Sequence, residues 1–537
     1  MKGKVDVSAI GLDGPTEPAI AHADSQSVQV TPGQVTTMTV SLVLKPGAPP
    51  PPPDGGTGGA GGADGGGGAG GSGGGVGGSG GTDASVDTNT PDGSADVPRP
   101  DVGTDVPVVS RAWTPAGLAE MNVDEADTQP YLAVDPEGNG TLVWLHGGLL
   151  WTNRYNAQAK TWGTAGPLGA TINADAPQVA VDSKGIATVV WARASCLAEE
   201  RGIWSSTTMA PGGAWTTPVR VSAGHGAIPS LAVGGNGTAI AAWTENNYIN
   251  SNNEYVVWIS SRPLGGSWAP TRAIQNARDV GNRNPRVAMD GAGNGFLIWQ
   301  QTPPQVVVGD DNDSVYVSRY TAGNFGVPML LESLTGNDAD AANVSINAGG
   351  VAVATWLQTL PDRFELWSRI FATGSWGAPM MVTMGSGIDW DPVPESAVDP
   401  AGNATLVWAQ TVASGNYNAR IARYRAGQPK WDDPIALETD NQVTGNAADS
   451  ALFPWPDVAV DALGNAHALW RKKTASGLVT LWTRRLDAAG TLGPALRLDT
   501  ENMHNVFNPQ IEAAANGIVI ASWYHAIELN IWAAVFR

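Results

Sequence analysis

One fifteen-residue segment recurs eight times in this 537-residue chain. Its first copy runs Pro130-Tyr131-Leu132-Ala133-Val134-Asp135, passes through Gly138-Asn139 and closes on Trp144. The other copies open at Pro177, Pro229, Pro285, Ala342, Pro394, Pro456 and Pro509 and close on Trp191, Trp243, Trp299, Trp356, Trp408, Trp470 and Trp523. In every copy 14 positions separate the opening anchor from the tryptophan, and successive tryptophans lie 47 to 62 residues apart. A period of that length marks units that cannot bury an apolar face alone and must stack on one another.

Each unit reads as four strands. A short strand such as Gln178-Val179-Ala180-Val181-Asp182 follows the anchor. A turn such as Asp399-Pro400-Ala401-Gly402-Asn403 comes next, where Gly and Asn supply positive φ. A second strand ends on the anchor tryptophan. A third centres on Trp151, Trp204, Trp258, Tyr316, Trp367, Ile421, Trp482 and Trp532, and a fourth opens with an aromatic and a nearby proline, as in Trp215/Pro218. Four strands per repeat of roughly 50 residues predict a β-propeller blade. The eighth unit stops at Arg537, after its third strand, and the missing strand is found at the start, in Arg111-Ala112-Trp113-Thr114-Pro115. The expected fold is therefore all-β, an eight-bladed propeller over 108–537 whose ring is closed by an N-terminal strand. Closure removes the open edges of an unfinished sheet.

The tryptophan count supports the same frame. There are 22, against 9 Tyr and 7 Phe, and all but Trp390 and Trp455 fall on repeat positions. The eight anchors are read as structural, packing between stacked blades, where each ring buries about 150–250 Å². The competing reading is one sugar-binding platform per blade. Ahead of the ring, Pro49 to Pro53 is a polyproline run, and residues 55–81 hold 19 glycines in 27 positions. Residues 46–107 are accordingly expected to be a disordered linker. Residues 1–45 read as a β-strand remnant of a sandwich-like domain, with a hairpin about Pro32-Gly33. The single cysteine, Cys196, excludes an internal disulfide. A net charge of −20 argues against a nucleic-acid partner. No run approaches the ~18 apolar residues of a membrane span.

Loop lengths separate the two faces of such a ring. Turns between strands one and two, and three and four, are short and alike. Connections such as 192–202, 244–255, 300–314 and 437–455 are long and dissimilar, and in a propeller they gather around one mouth of the channel. Variable loops on a rigid scaffold are the usual seat of recognition, so function is expected there. Asp389, Trp390, Asp391 and Trp455 are the candidate ligand contacts, two acids with two off-pattern aromatics suiting a carbohydrate. Asp310, Asp311 and Asp313 concentrate carboxylates that could offer oxygens to calcium. The loop lacks the spaced glycine and distal Glu of an EF-hand, so a solvated acidic loop is the better reading of it. His225, His504 and His525 lie in or near mouth loops, but nothing sets them beside a nucleophile. His467 stands where other copies have Thr, Ile, Phe or Val and reads as a packed histidine.

Over about four-fifths of the chain the repeats resemble bacterial extracellular propellers, loosely the sialidase-like and other Asp/Gly/Trp-repeat families. Here the Asp/Gly/Asn turn joins strands one and two rather than three and four, and the Arg-Ile-Pro element of sialidases is absent. The resemblance thus implies a fold and not an activity. The Gly-rich tether is similar to those of bacterial surface lipoproteins, although no lipid-accepting cysteine stands near the start. The expectation is a monomeric, secreted or cell-surface, non-enzymatic protein that recognises a glycan or protein of the envelope or outside the cell. It needs no cofactor beyond the calcium considered above. The alternatives are a hydrolase or lyase acting on glycans through acids at the channel mouth, and a structural scaffold.

Overall fold

In a computed structural model the chain divides into two compact units, Met1–Gly103 and Thr104–Arg537. The described residues are 2–9, 20–23, 26–29, 36–43 and most of 111–537; outside them in the second unit lie chiefly 121–126, 194–199, 248–253, 275–282, 303–312, 334–336, 386–393, 413–415, 439–454, 500–504 and 526–529. In the first unit Lys2–Ala9 pairs antiparallel with Thr36–Val43, and Ile20–Ala23 with Gln26–Gln29. The hairpin expected about Pro32-Gly33 is not the pairing found: the segments on either side of that turn each take another partner, because an alternating strand fixes its face and not its neighbour.

The second unit is an eight-bladed β-propeller of antiparallel four-stranded blades. Blade 2 shows the plan, with strands Ala174–Val181, Ala187–Arg193, Gly202–Thr207 and Val219–Arg220 running from the channel outward. The fourth strand is broken wherever proline removes a ladder donor. In blade 5 it is Ser375–Trp376 and then Met380–Gly385, on either side of Pro379. Blade 8 takes Val506–Ala513, Val519–His525 and Ile531–Phe536 from the end of the chain and Gly117–Leu118 from the start of the ring. Trp113 bridges Phe536, and Ala112 and Arg537 exchange both backbone hydrogen bonds at 3.1 Å, so the ring is closed as expected.

The aspartate of the first turn works as a built-in cap. Asp461 is 4 % exposed and accepts from the amides of Leu463 and Asn465 at 2.9 Å, while Asn465 Nδ2 returns to the same carboxylate. The glycine at the equivalent turn position has positive φ in every blade, from 77° at Gly185 to 87° at Gly138 and Gly350, although an asparagine follows it only in blades 1, 4, 6 and 7. No side chain enters that region cheaply.

Stacking of blades forms the core. Each anchor tryptophan is at most 1 % exposed. Trp356 of blade 5 packs on Ile298 and Val317 of blade 4, and Trp144 of blade 1 on Ile531 and Ala533 of blade 8. Across its own sheet each anchor faces the third-strand aromatic, except in blade 6, where Trp408 stands opposite Arg420 and not Ile421. Four residues beyond that facing position a side chain plugs the seam to the preceding blade: Tyr155, Tyr320, Phe371, Tyr424, Leu486 and Phe536. The five aromatic plugs touch the fourth-strand ring of their own blade, with centroids 5.0–5.9 Å apart. Blades 2 and 3 have Thr208 and Arg262 at this position instead.

Candidate functional site: the central channel

The innermost strands of the eight blades ring the channel, and a repeated bulge decides what they present. In the seven blades where the residue before the anchor is described it has positive φ: Gln129, Ala176, Ile228, Asn284, Ala341, Trp455 and Asn508, between 40° and 54°. The ladder slips at that point in six of them, for example between Asp175 and Gln178. Non-glycine residues held there cost of order 1–3 kcal/mol each and persist only where packing over-determines them. Bulges of this kind re-aim the side chains that follow.

The residue after the anchor is the one re-aimed. Around the ring it reads Tyr131, Gln178, Ser230, Arg286, Asn343, Glu395, Asp457 and Gln510. These groups also tie blades together. Ser230 Oγ accepts from the amide of Val287 in the next blade at 3.1 Å, Asn343 Nδ2 donates to Glu395 at 2.7 Å, and Asp457 accepts from the amide of Ile511 at 2.9 Å. Two positions further on, seven blades have Ala or Ser and blade 8 has Glu512. Arg286 of blade 4 acts electrostatically on Glu395 of blade 6 and Tyr131 of blade 1, and Glu395 acts on Glu512 of blade 8. Those blades are not neighbours, so the groups meet across the lumen.

The resulting field is acidic on one side. Enclosure raises Glu395, against the pull of Arg286 and the bond from Asn343. Enclosure and then the charge of Glu395 push Asp457 up to about 7, despite two backbone amides that favour its anion. Glu512 is pushed up to about 8, first by enclosure and then by Asp457 and Glu395. All three open onto the channel, Glu512 the most, but protein surrounds them on every side and the like charges oppose simultaneous ionisation. The arc of blades 6 to 8 therefore holds protons near neutral pH.

Toward the mouth with the long loops, Arg471 is 2 % exposed and donates to the Val506 carbonyl at 3.2 Å. Its guanidinium lies 5.6 Å from the ring of Trp455 and 5.3 Å from that of Phe507, which stacks on Tyr524. Burial draws Arg471 down to about 9. Trp455, one of the candidate ligand contacts, is thus the positive-φ residue ahead of the blade 7 anchor, packed beside Ala409 and Tyr417. Asp389, Trp390 and Asp391 lie outside the described residues, as do Asp310, Asp311, His225 and His504. Asp313 is buried and its two oxygens take Thr302 Oγ1 at 2.6 Å and Arg283 at 2.7 Å, a structural use of its charge. Its neighbour Asp340 is raised to about 6 by burial and by Asp313 and Asp338. Among the described residues no group of three or more His, Cys, Asp or Glu side chains is arranged to hold a metal ion. His525 accepts from Trp523 Nε1 at 3.2 Å and packs on Trp532, and His467 is buried at the seam of blades 7 and 8.

Loop length pointed to the mouth, and the described channel groups were missed. The signal was available: the residue after the anchor is polar in all eight copies yet differs from copy to copy, and Glu512 interrupts a column of small residues.

No family model and no curated protein matches this chain. Solved structures that resemble it include an ulvan lyase of polysaccharide lyase family PL25 at 10 % identity, covering 79 % of this chain and 95 % of that one, with a TM-score of 0.43. The Dos1 propeller is 8 % identical over 79 % and 94 %, with a TM-score of 0.44. A leech intramolecular trans-sialidase is 8 % identical over 78 % and 89 %, with a TM-score of 0.36. Likenesses this distant lend the chain no ligand and no reaction.

Proposed function

We propose that the protein is a non-enzymatic binding protein, secreted or displayed at a cell surface, that recognises a glycan or protein group at the long-loop mouth of its channel. The observation that carries this is the ring at the residue after the anchor. Eight copies of one backbone position present differing polar groups to a shared lumen, while the packing positions around them repeat. A scaffold alone has no use for such variety. Glu395 and Asp457 spend oxygens on Asn343 and on the amides of Ile511 and Val458, which suits holding a shape rather than shuttling a proton. The test is a glycan array and a pull-down from envelope and secreted fractions, with Arg286→Ala and Asp457→Asn beside the natural chain. Binding that these changes reduce by roughly tenfold supports the reading. No binding to any component defeats it.

One observation favours a second reading, a glycan-active hydrolase or lyase. Glu512 makes no blade-to-blade hydrogen bond among the described residues, retains its proton near neutral pH and sits within the field of a second carboxylate, as an acid–base pair requires. Product release from a polysaccharide panel, abolished by Glu512→Gln, would establish it, and a silent panel removes it.

A further inference from the structure

The seam between blades 2 and 3 differs from the aromatic seams. Where they carry a ring, Arg262 stands, and beside it opens a groove of about 620 Å³, within the size range of small-ligand sites. The groove is bounded by the short turns between strands one and two and between strands three and four, so it belongs to the face opposite the long loops.

Arg262 is held rigidly. Its guanidinium donates to Thr188 Oγ1 at 2.8 Å and to Thr207 Oγ1, and its Cζ lies 5.4 Å from the ring centre of Trp268. Two of five N–H donors are spent in this way. Among the described residues no carboxylate lies within ion-pair reach of it. Asp182 acts from further away and gives Oδ1 to the amides of Lys184 and Ile186. Burial lowers the basicity of Arg262 and Asp182 restores it only in part, so a desolvated cation faces the groove without its counter-charge. A planar guanidinium with free N–H groups matches a carboxylate. On the rim Met209 and Leu264 are 71 % and 52 % exposed, offering apolar surface of the kind that covers the C–H face of a sugar.

We propose that this groove binds a carboxylate-bearing sugar residue of an acidic glycan, its carboxylate received by Arg262, its hydroxyls by the half-buried Thr207 and its apolar face by Met209 and Leu264. The site is independent of the channel and lies on the opposite face.

Calorimetry on the whole chain tests it, using a tetragalacturonate, neutral maltotetraose and acetate as probes. The acidic oligosaccharide binds, more weakly as salt rises, and the neutral one binds at least roughly tenfold less well. Arg262→Gln lowers affinity for the acidic probe by a similar factor. Met209→Asp, a change at an exposed rim position that leaves the fold alone, lowers it too by placing a like charge at the entrance. Equal binding of the neutral probe, no binding of the acidic one, or indifference to both substitutions overturns the proposal. Acetate binding as tightly as the tetramer overturns its sugar component.

Discussion

At the scale of single residues, two kinds of position carry opposite costs. Glycines of the first turn are fixed by backbone geometry. A Cβ on Gly464, at φ 79°, would meet Asp399 Oδ2 of the neighbouring blade at 2.9 Å. Gly464→Ala is expected to lose about 1–2 kcal/mol or more, read from urea unfolding, and a loss under about 0.5 kcal/mol would contradict this account. Glu512 is costly because it is ionisable. Its folded pKa, about 8, lies above its ordinary value of 4.5, so the folded state holds the proton more tightly than the unfolded chain does. The stability linked to that proton is complete below pH 4.5 and is lost as pH climbs through 8. Glu512→Gln should therefore melt a few degrees higher than the natural chain at pH 8.5, with the gap closing toward pH 4.5. A gap of constant size would show that charge in the channel is not responsible.

At the scale of elements, the seams between blades decide how the ring responds to conditions. His467 sits 1 % exposed in the seam where blade 7 meets the closing strand, with Phe536 at 4.8 Å and Trp113 at 6.4 Å. Burial draws it down to about 4, with Asp461 opposing and Arg485 and Arg111 reinforcing. The unfolded chain takes up a proton below about 6.5 and the folded one does not, so stability falls between pH 6.5 and 4, by up to about 3 kcal/mol. His467→Phe should flatten that part of the stability curve while leaving pH 8 little changed, and denaturant titrations at the two ends check it. The seams also show what was legible in the sequence. Stacking could be read because an anchor tryptophan is needed wherever a blade buries its face, whatever the loops do. The bulge could not, since Gln129, Ala176 and Ile228 share no turn chemistry. Nor could the channel ring: Arg286, Glu395 and Asp457 are far apart in sequence and meet only once the circle closes. Contiguous acids such as Asp310 to Asp313 drew notice instead, and Asp313 proves to be tied to Arg283. Ile421 was misplaced by one position because its neighbour Arg420 is no aromatic to mark the register.

At the scale of the whole molecule, stability is shared around a circle. Removing one anchor ring, as in Trp356→Ala, opens a cavity between blades 4 and 5 and should cost about 3–5 kcal/mol, measured by chemical denaturation. A chain beginning at residue 121 lacks Trp113 and Gly117–Leu118 and leaves the outer edge of Ile531–Phe536 unpaired. Sedimentation should find it aggregated, while a chain beginning at 104 stays dispersed. The same closure sets an order of events during synthesis. The amide of Val535 bonds Thr114 across 421 positions, so the first strand of the ring leaves the ribosome long before its partner exists. Seven blades can stack in turn as they emerge, each on the one before. The eighth must wait for the final residues, with blade 1 presenting a bare flank throughout that interval. Premature termination anywhere near the C-terminus would thus leave a nearly finished ring with both flanks open, a species for chaperones to guard or proteases to clear.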